Sequence, residues 1–388
     1  MEKYPSQRLI LAISIAAAGG VLLYLRNTRR RKQLTGPAGI HDDISRASIR
    51  LGKRTITVPA VLATTTIAHY HRLSFLGAGA FGKVLLVRSK RRRRRGSGLY
   101  AMKVLNKEAV VKRNQVLHTL HELHVLAAVR HPFICRMHHL FEADGCLCMV
   151  MDLLPGGELY ALLKKHKRLP LECARFYAAE VAVAVGHLHS LNIIYRAVKP
   201  EDLLLDAAGH LRLCDFGLTK GSITTLDAAH TFCGTPEYMA PEVVRNVGHG
   251  KPVDWWALGI LIYEMLVGLP PFFPGGGRDL PKMFRAILHA DLRFPSRLAE
   301  EYAARSLLQL LLARDPRERL GSGAADVREL ERHEFFAKLH FHRVVRREYA
   351  PPYIPEVDEE LGVCCANFEL SNPQFATAVV GELSSGLV

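Results

Sequence analysis

None of the eight cysteines stands in a C-x-x-C pair, and several fall inside apolar runs. The chain therefore offers no disulfide framework, and its thiols read as reduced, mostly buried side chains of a cytosolic domain. Acidic residues are also few: 37 Asp and Glu face 52 Lys and Arg, giving a net charge of +15. Such an excess points towards phosphate-rich partners, but no nucleic-acid recognition module accompanies it. Most of the excess sits in two short runs. Arg26, Arg29, Arg30, Arg31 and Lys32 supply five positives, and Arg88, Lys90 and Arg91 to Arg95 supply seven. Without those twelve the remainder carries only +3, so the body of the chain is nearly balanced and nucleic acid is not an expected partner.

What the chain does have is apolar content, 49% of 388 residues, enough for one large two-lobed domain with tails. Leu9 to Leu25 is an apolar run interrupted only by Ser14 and Tyr24. As a helix it would span about 25 Å, slightly less than a ~30 Å hydrocarbon core. It reads as a membrane anchor, with a cleaved signal peptide and a buried helix as the alternatives. The basic run that follows would keep the rest of the chain in the cytoplasm. Residues 1–32 are thus expected to be an anchor with a basic flank. Residues 33–69 mix Gly, Pro, Ser, Thr and Ala with scattered charge and read as a linker. Arg46-Ala47-Ser48 and Arg54-Thr55 within it have the form of basic-directed phosphorylation sites.

From Tyr70 the pattern changes. Gly77, Gly79 and Gly82 form a glycine-rich hairpin between two strand-like runs. Glycine lets a backbone approach phosphate closely, although G-x-G-x-x-G alone fits a dinucleotide fold equally well. Leu99 to Val104 is a strand with a single charge, Lys103. The loop Lys90 to Gly98 before it reads as a solvated loop, with contact to anionic lipid as the alternative. His118 to Val129 has helical periodicity and carries Glu122. The apolar strand Met149 to Leu154, with Asp152 near its end, runs into Pro155-Gly156-Gly157-Glu158 and leaves backbone groups free to meet a base. Further on come Tyr195-Arg196-Ala197-Val198-Lys199-Pro200-Glu201-Asp202 and then Asp215-Phe216-Gly217. Thr231 to Glu242, Asp254-Trp255-Trp256 and Pro270-Pro271-Phe272-Phe273 complete the set.

Together these motifs resemble the AGC group of serine/threonine protein kinases, which includes cAMP-dependent kinase and protein kinase B. The resemblance covers roughly residues 70–355. It implies an α+β, two-lobed protein kinase fold, with a small β-rich N-lobe holding one helix and a larger helical C-lobe. The kinase domain would span 70–336 and an AGC-type tail 337–388. The cofactors implied are ATP and Mg2+. Lys103 would hold the phosphates and Glu122 would hold Lys103. Gly77, Gly79, Gly82, Val84, Ala101, Asp152, Leu154, Glu158 and Leu204 would line the nucleotide site. Asp215 would bind Mg2+, and so would Asp202, which stands where the family has Asn. Lys199 would steady the γ-phosphate. Glu158, Glu201 and Glu264 match carboxylates that bind Arg residues of a Ser/Thr substrate. Thr231 matches the site phosphorylated by an upstream kinase, with Arg196, Lys220 and His118 placed to receive the phosphate. Arg319 matches the partner of Glu242. Two internal apolar columns are also implied, Leu126, Met137, Tyr195 and Phe216 above Asp254, and Val84, Ala101 and Leu204 closed by adenine. In the tail, Phe368 matches a contact to the nucleotide pocket, and Asn372 to Ala376 is a remnant of a terminal F-x-x-F motif.

The chain departs from the family at one decisive place. The family's catalytic loop has Asp as proton acceptor where this chain has Ala197, and a methyl group takes no proton. Two expectations follow. One is a kinase homologue that binds ATP and Mg2+ but transfers phosphate weakly or not at all. The other is a non-catalytic scaffold or allosteric partner of another protein, switched by phosphorylation of Thr231.

Overall fold

The computed structural model describes residues 46–59, 63–79, 82–90, 98–221, 234–275, 279–358 and 363. The described residues open with a two-stranded hairpin, β1 (Arg46–Leu51) and β2 (Arg54–Pro59). A five-stranded antiparallel sheet follows, from β3 (Tyr70–Gly79), β4 (Gly82–Ser89), β5 (Leu99–Asn106), β6 (Met137–Ala143) and β7 (Cys146–Asp152). Its strand order is β3-β4-β5-β7-β6. Between β5 and β6 lie α1 (Lys107–Lys112) and α2 (Val116–Ala128). Asn106 caps α1 by accepting the Ala109 N–H at 2.8 Å, the usual way an Asn starts a helix.

The C-lobe begins after β8 (Gly157–Glu158) with α3 (Leu159–His166) and the 20-residue α4 (Leu171–Ser190). Short strands β9 (Ile193–Ile194), β10 (Leu203–Leu205), β11 (Leu211–Leu213) and β12 (Lys220–Gly221) carry the loops between them. Five helices complete the lobe: α5 (Pro241–Val244), α6 (Pro252–Val267), α7 (Leu280–His289), α8 (Tyr302–Leu311) and α9 (Val327–Glu331). A last helix, α10 (Phe341–Val345), leads into the tail. Helix α6 is apolar on nearly every side and buried along its length, as a helix at the centre of a large lobe must be. It starts at Pro252 and ends where Gly268 turns the chain at φ 98°.

Two expectations change, and a third is not reached. The N-lobe holds two helices rather than one, because Asn106 starts a short extra helix directly off β5. The stretch expected as a linker contains the β1–β2 hairpin, reversed at Gly52 with φ 60°. Ile49 and Leu51 alternate with exposed Ser48 and Arg50 and are buried at 5% and 1% exposure. That period-two signal is short, and the surrounding Gly, Pro, Ser and Thr hide it. The expected transmembrane helix, Leu9 to Leu25, lies outside the described residues; among those described, no helix is long and apolar enough to cross a membrane.

Candidate active site

Lys103 sits in β5, opposite Val84 of β4 and Met149 of β7. Its ammonium reaches Glu122 of α2 at 2.6 Å, so sheet and helix are joined by one ion pair. Burial works against the Lys103 charge, but Glu122, Asp215 and Asp202 outweigh it and raise its pKa. Lys103 is therefore a fixed cation facing three carboxylates. The glycine hairpin closes over it. A Cβ at Gly82 would lie 1.8 Å from the Val104 carbonyl oxygen, so only glycine lets β4 run this close to β5. A Cβ at Gly77 would meet no protein atom within 4 Å, which leaves that backbone open to an incoming phosphate.

The catalytic loop is held from beneath. Asp254, fully buried at the start of α6, accepts the Tyr195 N–H at 2.9 Å and the Arg196 N–H at 2.7 Å. Arg196 adopts φ 61°, a left-handed conformation that costs a non-glycine residue energy and needs such restraint. His189 lies between Asp254 at 2.9 Å and Asp326 at 3.1 Å, and Trp255 donates to Asp326 at 3.0 Å. Burial opposes a charge on His189, but the two aspartates raise its pKa. The loop thus keeps its frame, with Ala197 5% exposed at the position after Arg196.

Past Ala197, Lys199 lies 3.5 Å from Asp202. The Asp202 carbonyl accepts the Cys214 N–H at 2.9 Å, which draws the Asp215 strand against the catalytic loop. Burial pushes the Asp202 carboxyl up to about 7, Lys199 opposes the rise, and the charges of Asp215 and Glu201 add to it. Two carboxylates that repel each other, Asp202 buried and Asp215 exposed, suit a hard divalent cation. Mg2+ takes only one or two protein carboxylates when phosphates complete its shell. Among the described residues no group of three or more potential ligands forms a closed metal cage.

The residues of the first internal column lie in one buried apolar cluster. Leu126, Met137, Tyr195 and Phe216 are all buried, and the Tyr195 and Phe216 rings stand 5.3 Å apart. Val84, Ala101 and Leu204 are half-buried, while Leu154 beside them is buried. The Asp152 carboxylate binds His138 at 2.7 Å, the Arg136 N–H at 3.1 Å and Arg212 at 3.5 Å, so its side chain ties the hinge to the C-lobe.

The acidic residues gather lower in the C-lobe. Tyr238 donates its hydroxyl to Glu264, and Glu201 and Glu237 lie near enough to raise the Glu264 pKa further, after burial itself. One Glu201 carboxylate oxygen is buried with no hydrogen-bond partner among the described residues. Glu158 sits on β8, which contacts the turn that carries Glu201. Glu237 joins this acidic group without having been singled out from sequence; its place in Thr235-Pro236-Glu237-Tyr238, three residues after Gly234, was the available signal.

Arg319 forms a two-pronged pair with Glu242 at 2.7 and 2.9 Å, both buried. That junction and the Lys103–Glu122 pair are contacts between side chains far apart in sequence, and they match one known architecture. A protein-family model described as the protein kinase domain covers residues 70–336. The chain belongs to the protein kinase family. Within it, the similarity runs to AGC-type serine/threonine kinases. RAC-beta serine/threonine-protein kinase of Homo sapiens is 42% identical over 306 residues, 79% of this chain and 62% of its own length. Serine/threonine-protein kinase akt-1 of Caenorhabditis elegans is 43% identical over 295 residues, 76% of this chain and 53% of its own length. Serine/threonine-protein kinase YPK1 of Saccharomyces cerevisiae is 41% identical over 338 residues, 86% of this chain and 48% of its own length. The chain thus spans between about half and about six-tenths of these relatives.

For the rest of the kinase's expected parts, Tyr349 to Pro355 run along the C-lobe to the hinge. Tyr353 meets His166 edge-on, and Pro355 would lie 2.7 Å from a Cβ at Gly156. Thr231, the Lys220 side chain, Phe368 and residues 372–376 lie outside the described residues. His118 does face Arg196: burial lowers its pKa and the Arg196 charge lowers it further.

Proposed function

We propose that this chain binds ATP with Mg2+ and that its transfer to Ser or Thr in Arg-containing protein substrates is weak or lost. The observation that carries this is a catalytic loop with its backbone held by Asp254 and a methyl group at position 197. Lys103 and the hairpin glycines would bind the phosphates, and Asp202 and Asp215 would hold Mg2+, which neutralises phosphate charge when bound. Lys199 would orient the γ-phosphate. Glu158, Glu201 and Glu264 would take substrate guanidinium groups, for which a paired carboxylate is a strong and directional partner. The substrate proton is left without an acceptor. Removing a general base costs ~10²–10⁴ in rate, or roughly 3–5 kcal/mol of barrier. The test is phosphate incorporation into an Arg-rich Ser/Thr peptide by the full chain, beside Ala197→Asp. A gain of about 10²–10⁴ in the variant is expected; equal rates would overturn the reading.

A non-catalytic regulator switched at Thr231 is favoured by a separate observation, the closeness of His118 on α2 to Arg196 on the catalytic loop, across the lobes. A phosphate there would pair with the guanidinium, favour the protonated imidazole and draw the lobes together. Equal hydrogen exchange across residues 215–242 in the unphosphorylated and Thr231-phosphorylated forms would exclude it. We further propose that Leu9 to Leu25 anchors the chain, with the basic runs meeting anionic lipid and the kinase domain facing the cytoplasm. Retained membrane association after deletion of residues 1–32 would rule this out.

A further inference from the structure

The β1–β2 hairpin lies before the residues matched by the kinase-domain model, which begin at 70. Its packing nevertheless reaches the nucleotide site. Ile49 and Leu51 point the same way from β1 and join the buried cluster that holds Val110 of α1 and Leu120 and Leu123 of α2. Strand β2 lies along α2. The turn rests on α1, where a Cβ at Gly52 would come within 3.2 Å of the Val111 side chain. One carboxylate fastens the arrangement. Glu142 of β6 accepts the Arg50 N–H at 3.1 Å through one oxygen and the Lys107 ammonium at 2.7 Å through the other. Hairpin, sheet and the first residue of α1 therefore share a single latch.

Helix α2 needs outside support. It has 13 residues and no side-chain cap at its N-terminus. Helices of that length are marginal without tertiary packing. Its Glu122 must nonetheless sit 2.6 Å from Lys103 for the phosphate-binding lysine to be held in place.

We propose that the β1–β2 hairpin is a built-in brace for α2, with Glu142 as its latch, so that Ile49, Leu51 and Glu142 act as positioning residues for the Lys103–Glu122 pair. This rests on the ATP-binding reading above. If the braced form is the one that binds nucleotide, loosening the brace raises the apparent Kd in proportion to the braced fraction lost.

The test uses the full chain in three forms: Ile49→Ala with Leu51→Ala, Glu142→Gln, and the conservative Ile49→Val with Leu51→Met. Amide hydrogen exchange is followed in residues 116–128 and, as a control, in 171–190. ATP with Mg2+ is titrated by calorimetry. The brace predicts faster exchange in 116–128 but not in 171–190 for the first two forms, with rescue in the third. It also predicts about tenfold weaker ATP binding when the braced fraction falls to about a tenth. Unchanged exchange in 116–128 in Glu142→Gln and in the double alanine form would overturn it. Should the double alanine form lose protection in 171–190 as well, Glu142→Gln decides alone. If the unmutated chain binds no ATP, the nucleotide reading fails, while the exchange comparison still decides the brace.

Discussion

At Lys103 one side chain neutralises a buried carboxylate and, on the proposed function, would also hold phosphate. Glu122 is 7% exposed at its side chain and has Lys103 as its ion-pair partner. Lys103→Met keeps the aliphatic stem and removes the charge. ATP binding should weaken about tenfold or more, the ~1.5–3 kcal/mol of a charge-assisted hydrogen bond, read as a lost thermal shift on nucleotide addition. An unchanged shift would place the phosphates elsewhere. Residues of this kind were legible in the sequence because each lies in its own short motif: Lys103 alone in an apolar strand, Asp215 before Phe216-Gly217, Ala197 inside an otherwise familiar loop. The partners of the Asp152 side chain were not: His138 and Arg212, which take its carboxylate, come from other strands. Which partner claims a carboxylate is settled by folding, and no local spacing encodes it.

Among the elements, strands β5 and β7 and helix α2 were readable from their apolar patterns, and the β1–β2 hairpin was not. The β1–β2 hairpin turns on two inward side chains set in a stretch composed like a linker. The junction between α5 and the segment after α8 is stabilised differently, by the buried Arg319–Glu242 pair with the guanidinium over Trp256 at 5.2 Å. Arg319→Ala would strand the Glu242 carboxylate in a dry site and lose the ring contact. Breaking a buried pair from one side costs about 3–5 kcal/mol. Denaturant unfolding should show a drop of that size, and a loss below about 1 kcal/mol, as for an exposed pair, would contradict the packing.

Stability of the whole molecule carries a pH signature through His189. Its imidazole is fully buried and shared by Asp254 and Asp326, which bind α4, α6 and the start of α9 into one unit. Those carboxylates raise its folded pKa above the ordinary 6.5 against the pull of burial. A raised folded pKa stabilises the fold fully below the unfolded value and ceases to do so as pH climbs through the folded one. This contribution should therefore be intact below pH 6.5 and decline above it. Urea midpoints measured upward from pH 6 should show that decline in the unmutated chain and lose it in His189→Gln. Equal slopes in the two proteins would mean that the imidazole is uncharged in the fold.

Asp254 grips the catalytic loop by the Tyr195 and Arg196 amides, so the shape of the loop owes nothing to the side chain at 197. A change of the middle base turns two of the four alanine codons into aspartate and the other two into glutamate. A gene encoding this loop therefore stands one point mutation from a carboxylate at that position, and the backbone hold on the loop does not depend on which residue is there. In evolutionary terms the two states are neighbours, and a lineage can pass between them in either direction while the loop keeps its frame.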